Sequence, residues 1–154
     1  MSQIKNRKFR KLSISDLQML MNIKIRYPEF SICEENARQF LLNPMNWIFA
    51  CIQDDSIIAH LEGYELNILS NKGNKFYIFA FGVDPKYHRQ GIGTDLFTAL
   101  KDTCKSLGMY KIYLNTEKSN IAACGLYEKS GGKFDTYFKD GNDCNRLYTF
   151  NLNE

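Results

Sequence analysis

The sequence predicts an α/β (α+β) protein with one mixed central sheet of about seven strands and about four helices, forming a single domain over residues 1–154. Residues 76–83 are mostly aromatic or β-branched, which is typical of a buried strand. The apolar positions from Ile92 to Leu107 recur at helical spacing, which indicates an amphipathic helix soon after that strand. Strands and helices then alternate, an order that favours a sheet with a parallel pair.

Seven segments are predicted as strands because apolar or β-branched runs end at turn residues. They lie at residues 9–12, 47–53, 57–66, 76–83, 111–115, 133–139 and 146–152. Short polar turns at 54–56 and 140–143 predict antiparallel hairpins. The helix that connects the fourth and fifth strands predicts that these two strands are parallel.

The first two helices are predicted from capping residues and apolar spacing. Residues 13–16 resemble a capping box and precede an apolar stripe that runs to Ile25. Residues 31–34 form a second such box, and the helix that it opens stops at Asn43-Pro44. The segment between these helices is expected to lie on the substrate side.

The third helix begins at a glycine-rich turn, Arg-Gln-Gly-Ile-Gly-Thr at 89–94, and ends before Gly108. The unpaired N–H groups and positive dipole end of such a helix form an anion site. The two glycines let a phosphate approach the backbone, Arg89 adds a positive charge, and Thr94 adds a hydroxyl. The alternative is that the glycines merely tighten the turn.

The fourth helix covers residues 120–130, within Asn-Ile-Ala-Ala-Cys-Gly-Leu-Tyr-Glu-Lys-Ser-Gly at 120–131. Asn120 is a candidate helix cap. Taken alone, Tyr127 fits a packed tyrosine with its hydroxyl at the surface. A second interpretation of both residues follows when this segment is considered together with the glycine-rich turn.

Composition and charge disfavour several other classes of protein. The net charge of +3 comes from both signs mixed along the chain, without the concentrated basic face of a nucleic-acid-binding protein. No secretory signal or membrane-length run is present, so a cytoplasmic protein with no membrane partner is expected. Five cysteines without a CxxC pair predict reduced thiols, and two histidines make a metal site unexpected.

The two motifs resemble those of the GCN5-related N-acetyltransferase (GNAT) superfamily. Gly91 and Gly93 match the glycines of Gln/Arg-x-x-Gly-x-Gly/Ala, although His88 stands at the first position. Residues 120–131 match Asn-x-x-Ala-x-x-Leu-Tyr-x-Lys-x-Gly almost letter for letter. The resemblance implies a GNAT fold, in which the sheet is splayed between strands 4 and 5 and acetyl-CoA enters the gap.

The resemblance also implies roles for individual residues. The turn binds the pyrophosphate, Asn120 binds the pantetheine or phosphate portion, and Tyr127 protonates the departing thiolate. An N–H near Val83 would bind the developing oxyanion if the strand bulges there. The implied cofactor-binding residues are Phe81, Val83, Arg89, Gln90, Gly91, Ile92, Gly93, Thr94, Asn120 and Tyr127.

The predicted central strand supplies no candidate base, because residues 76–83 contain no carboxylate. An alkylammonium with a pKa near ~10.4 must lose a proton before it attacks, which costs roughly 4 to 5 kcal/mol at neutral pH. Glu62 and Glu65 on the neighbouring strand are the candidates, with Asp84 third and His60 as an alternative. Each carboxylate also fits an ordinary surface or substrate-binding role.

Within the superfamily, residues 47–132 look most like the type I aminoglycoside 3-N-acetyltransferases, an activity linked to antibiotic resistance. Ala80 departs from that group, which carries an aspartate there, and a basic chain does not favour a polycationic drug. The expected function is acetyl transfer from acetyl-CoA to a primary amine of a small molecule, with an aminoglycoside as one acceptor. Protein or peptide N-acetylation and a non-catalytic acyl-CoA sensor remain as alternatives, and the resemblance implies a homodimer.

Overall fold

The computed structural model describes residues 6–23, 32–135 and 145–153. Its strands are β1 (Arg7–Lys11), β2 (Asn46–Gln53), β3 (Ser56–Leu66), β4 (Lys75–Val83), β5 (Lys111–Glu117), β6 (Lys133–Asp135) and β7 (Asn145–Asn151). Its α-helices are α1 (Leu17–Met21), α2 (Glu34–Leu42), α3 (Ile92–Ser106) and α4 (Ile121–Lys129), with 3-10 turns at Ile14–Asp16 and Pro85–Tyr87. Within these ranges the strands form one sheet in the order β1-β2-β3-β4-β5-β7-β6, and the pair β4–β5 is parallel. The predicted fold class is confirmed.

Apolar side chains cover both faces of the sheet. On one face, α3 and α4 contribute to a core that includes Leu96, Tyr127 and Phe150. On the other face, α1 and α2 pack over a smaller group that includes Ile48 and Ala50. None of the helices in the described ranges has the length and apolar character needed to cross a membrane.

The stripe predicted for α3 is confirmed except at its end. The apolar side chains Ile92, Leu96, Phe97, Leu100 and Cys104 are all buried against the sheet. Leu107 is 61% exposed, because it is the C-terminal cap and the chain turns away there. Gly108 follows with φ of 83°, the left-handed conformation predicted for the end of this helix.

One of the N-terminal helices begins as predicted, and the other begins two residues later. The Ser13 N–H donates to the Asp16 carboxylate at 2.8 Å, which is one half of the predicted capping box. Cys33, rather than Ser31, is the N-cap of α2. Residues 24–31 and 136–144 lie outside the described ranges, together with the predictions made for Ile25, Ser31 and the last hairpin turn.

The sheet is splayed between β4 and β5, as the resemblance implied. These strands are paired from Lys75 to Ile78 on β4 and from Lys111 to Leu114 on β5, and both strands then continue without pairing to each other. The bulge of β4 is at Phe79, since Ile78 lies opposite Gly63 and Ala80 lies opposite Glu62. The condition under which an N–H near Val83 would bind the oxyanion, a bulge at that position, is therefore not met. The reason is that the β3–β4 register continues unbroken from Ala80 to Val83.

Candidate functional site

The gap between β4 and β5 opens into a cavity of about 320 Å³. Its lining comes from β4, from the end of β5 and from the start of α4, and it includes Phe81, Leu114, Asn120, Leu126 and Tyr127. Three predicted site residues from distant parts of the sequence therefore meet here. Beyond Ile78 and Leu114, the facing edges of β4 and β5 have no strand partner among the described residues, so their main-chain groups are available to a ligand.

Side-chain hydrogen bonds of Asp84 and His88 help to fix the segment between β4 and α3. The Asp84 carboxylate accepts from the Lys86 N–H at 3.0 Å and caps the 3-10 turn. His88 Nε2 lies 3.0 Å from the Val83 carbonyl oxygen, which ties the segment to the end of β4. His88, the residue that departs from the family motif, is thus engaged with the backbone.

The glycine-rich turn presents free donors at the start of α3. The first hydrogen bond of the helix joins the Asp95 N–H to the Gly91 carbonyl at 3.1 Å. The N–H groups at 92–94 precede that bond and have no acceptor within the helix. Arg89 and Thr94 are exposed beside them, and the buried Ile92 anchors the turn to the core. This combination suits a phosphate or pyrophosphate.

Both glycines have a structural reason in addition to the predicted one. Gly91 has φ of 73°, and a Cβ there would have no atom within 4 Å, so the backbone is open to a ligand. A Cβ at Gly93 would lie 3.3 Å from Leu126 Cδ1 and 3.4 Å from Phe81 Cε1. Gly93 therefore lets the helix approach the wall of the cavity closely.

The side-chain oxygen of Gln90 is hydrogen-bonded to β1. Its Oε1 accepts from Arg7 on β1 at 2.8 Å, and the same guanidinium donates to Gln53 Oε1 at 3.0 Å. Through this link β1 is joined to the turn. Gln90 retains its main-chain N–H for the predicted anion site.

Tyr127 is only 6% exposed and lies at the cavity wall. Its ring packs against Phe97, Tyr148 and Phe150, with centroid separations of 5.9, 5.8 and 6.4 Å. The next residue, Glu128, accepts from the Tyr148 hydroxyl at 2.9 Å, which fastens α4 to β7. The phenol is thus held on a rigid support, as a proton donor requires.

The position of Asn120 is compatible with both roles considered for it, a helix cap and a ligand-binding residue. Its Oδ1 accepts from the Ala123 N–H at 3.1 Å and caps α4. The same residue lines the cavity beside the gap. Its amide nitrogen is the group that a bound ligand would meet.

Glu62 is half-buried and lies directly opposite Ala80 across the β3–β4 pair. Its Oε2 accepts from the Tyr64 hydroxyl at 3.1 Å. Burial raises the pKa of the Glu62 carboxyl, and the hydrogen bond from Tyr64 opposes that shift. The pKa of Tyr64 is raised to about 12 by burial and by the Glu62 charge, so this hydroxyl remains a donor.

The other candidate bases lie in different surroundings. Glu65 is opposite Phe76, where β4 and β5 are still paired, and its Oε2 accepts from Asn74 at 2.8 Å. Asp84 is occupied as a cap. His60 is 6% exposed, and burial lowers its pKa to about 4. The structure brings Glu62 to the splayed part of the sheet and leaves Glu65 at the paired part.

Several site residues were not assigned from the sequence. Leu114 and the two residues after it line the cavity because β5 continues past its pairing with β4. Tyr148 and Phe150 support Tyr127, although they are more than twenty residues away along the chain. Their spacing of two on one strand was the available signal, since it places them on one face.

Comparison with known proteins adds a family match. The profile described as "Acetyltransferase (GNAT) family" matches residues 14–132. The chain is 41% identical over 54 residues to the [ribosomal protein bS18]-alanine N-acetyltransferase of Escherichia coli (strain K12), which is 35% of this chain and 36% of that protein. The matched stretch thus spans about a third of the length of this curated relative.

Solved structures share the fold over most of the chain. The ribosomal-protein-S18-alanine N-acetyltransferase from Escherichia coli has a TM-score of 0.71 at 23% identity, covering 96% of this chain and 94% of that one. An aminoglycoside acetyltransferase from an uncultured soil metagenomic sample, in complex with sisomicin, has a TM-score of 0.72 at 21% identity. The match covers 87% of this chain and 90% of that one. Arabidopsis thaliana NAA60 in complex with acetyl-CoA has a TM-score of 0.71 at 17% identity. The match covers 97% of this chain and 100% of that one.

Proposed function

Because this chain belongs to the acetyltransferase (GNAT) family, it is an N-acetyltransferase with acetyl-CoA as donor, and we propose that its acceptor is the α-amino group of a peptide or protein. The observation that carries this acceptor is the 41% identity to an enzyme named for acetylating alanine of a ribosomal protein. The three structural relatives are less similar in sequence. The proposal revises the expected preference for a small-molecule acceptor.

The residues at the gap fit acetyl-CoA. The main-chain N–H groups at 92–94, together with Arg89, would hold the pyrophosphate, and the unpaired edge of β4 would bind the amide groups of the pantetheine. Tyr127 would supply a proton to the sulfur of the leaving group. The donor supplies the activated acetyl group, and the protein contributes binding, orientation and proton transfer.

The pKa of the acceptor favours an α-amine over a lysine side chain. Ala80 lines the cavity, and β4 brings no carboxylate to it. Deprotonating an α-ammonium of pKa near ~8 costs about 1 kcal/mol at pH 7, whereas a lysine of pKa near ~10.4 costs about 4 to 5 kcal/mol. An acceptor that loses its proton easily suits a strand without a carboxylate.

Aminoglycoside acetylation is the second candidate function. It is supported by the structural relative bound to sisomicin, whose TM-score of 0.72 is close to the 0.71 of the ribosomal-protein-S18-alanine N-acetyltransferase. At 21% identity that likeness extends to the fold and not to the acceptor. Both candidates use the same donor site, so they differ only in the amine that turns over.

The test is release of coenzyme A thiol with a matched set of acceptors. The set contains a peptide with a free N-terminal alanine and an internal lysine, the same peptide with its N-terminus acetylated, and sisomicin. We expect turnover with the free peptide and none with the blocked peptide. Tyr127→Phe should retain acetyl-CoA binding and lose rate. Turnover with the blocked peptide at the rate of the free peptide, or turnover with sisomicin and none with the free peptide, would contradict the proposed acceptor.

A further inference from the structure

We propose that Glu62 on β3 is the base that removes the proton from the acceptor ammonium, in place of a carboxylate on β4. The inference rests on the proposed N-acetyl transfer, because it concerns a step of that reaction. It does not depend on which amine is the acceptor.

The pairing of β3 with β4 places Glu62 beside the gap. A Cβ at Gly93 of α3 would lie 3.4 Å from Phe81 Cε1, and Phe81 packs against the core that α3 and α4 cover, so its side chain lies on that face of the sheet. Ala80, the preceding residue, is on the opposite face, since successive residues of a strand alternate. Glu62 lies directly opposite Ala80 and shares that face, with Cβ atoms typically about 4.5 to 5.5 Å apart.

The side chain of Ala80 is too small to cover the side chain of Glu62 across the strand pair. It lines the cavity, and its methyl group leaves room for the longer side chain across the strand pair. The donor enters from the face where the turn, Asn120 and Tyr127 lie. The acceptor must then approach from the face that carries Glu62, so the carboxylate and the thioester are on opposite sides of the attacking nitrogen.

The carboxylate is held in one place by Tyr64. The Tyr64 hydroxyl donates to Glu62 Oε2 at 3.1 Å. Its ring is packed edge-on against Phe40 of α2 at 5.9 Å and against Phe79 at 6.3 Å between centroids. Partial burial also makes the carboxyl more basic than an exposed glutamate, which favours proton abstraction.

Other carboxylates of the described residues are less suited. Glu65 is three residues further along β3 and therefore on its other face. It bonds Asn74 beside the paired part of β4 and β5. Glu117 ends β5 as an exposed residue. These two glutamates serve as internal controls.

The proton balance of the step is simple. Glu62 takes one proton from the ammonium, and the neutral nitrogen forms a bond to the acetyl carbon. The carbon–sulfur bond breaks, the sulfur takes a proton from Tyr127, and the second proton of the nitrogen restores the tyrosine. Glu62 then releases its proton to water, so that an amide, a thiol and one free proton result.

The experiment compares kcat and KM of the parent with Glu62→Gln, using whichever amine the acceptor panel identifies. Removing a base should lower kcat by roughly 10²- to 10⁴-fold. Adding Ala80→Glu to Glu62→Gln should raise kcat about tenfold or more above that of Glu62→Gln, because the new carboxylate is attached directly opposite residue 62. Ala80→Gln in the same background has nearly the same size and should restore nothing. Glu65→Gln and Glu117→Gln should retain the parent rate.

Acetyl-CoA binding by thermal shift shows that each variant is folded. A Glu62→Gln enzyme with the parent kcat, or one with a defect confined to KM, would overturn the inference. Equal rescue by Ala80→Gln and Ala80→Glu would do the same. A parent that acetylates an amine other than an N-terminal one would refute the proposed acceptor and leave this comparison intact on that amine.

Discussion

Replacing His60 by glutamine should remove a large part of the acid sensitivity of folding. His60 lies in the middle of β3, opposite Ala50 of β2 and Gly82 of β4, and it is 6% exposed. Burial lowers the pKa of its imidazole from 6.5 to about 4, because the charged ring would lose its hydration. Glutamine keeps a polar side chain at this position and does not titrate.

The sign follows from which state binds the proton. Below pH 6.5 the unfolded chain protonates His60, and the folded protein does not until the pH approaches 4, so the free energy of unfolding falls as the pH is lowered. The loss from pH 7 to pH 5 is about 2 kcal/mol. Glu62 acts in the opposite sense, because burial raises its pKa in the folded state. The test is therefore the difference between parent and variant in how the free energy of unfolding changes with pH.

Urea unfolding followed by the fluorescence of Trp47, the one tryptophan of the chain and a buried residue, measures this difference. The free energy of unfolding is determined for both proteins at pH 7, 6 and 5. We expect the parent to lose about 2 kcal/mol more than His60→Gln over that range. Parallel losses in the two proteins would refute the assignment of a neutral buried histidine.

Three further substitutions test the turn and the N-terminal cap. Gly91→Ala places a Cβ at φ of 73° and should cost about 1 kcal/mol of unfolding free energy in urea; an unchanged midpoint would contradict this. Gly93→Val directs a side chain at the Phe81 ring in the cavity wall, so a folded variant should lose its thermal shift with acetyl-CoA. A parent-like shift would remove Gly93 from the donor site. Asp16→Ala removes two bonds from Arg10, at 2.7 and 2.9 Å, and should cost about 2 kcal/mol in urea. An unchanged free energy of unfolding would show that the Arg10–Asp16 ion pair contributes no more to stability than an exposed surface pair.

Local sequence pattern was sufficient to predict the elements that are proposed to bind the donor. The stripe in α3, the turn before it and Gly108 after it depend on residues close together in sequence, and the structure has them where the pattern predicted. Leu107 was misassigned because apolar spacing does not reveal where a helix leaves the core. The parity of a strand also separates Glu62 from Glu65, since residues three apart lie on opposite faces.

The sequence by itself determined the order of strands and helices, the glycine-rich turn and the family motifs, because each is encoded within a few consecutive residues. The tertiary structure alone decided which residue faces the gap. Without the bulge at Phe79, the register from Tyr64 and Tyr77 would place Phe79 opposite Glu62; with it, Ala80 occupies that position. A bulge adds one residue to one strand and reverses the face of everything after it. Such a shift is set by packing across the sheet, which no local pattern contains.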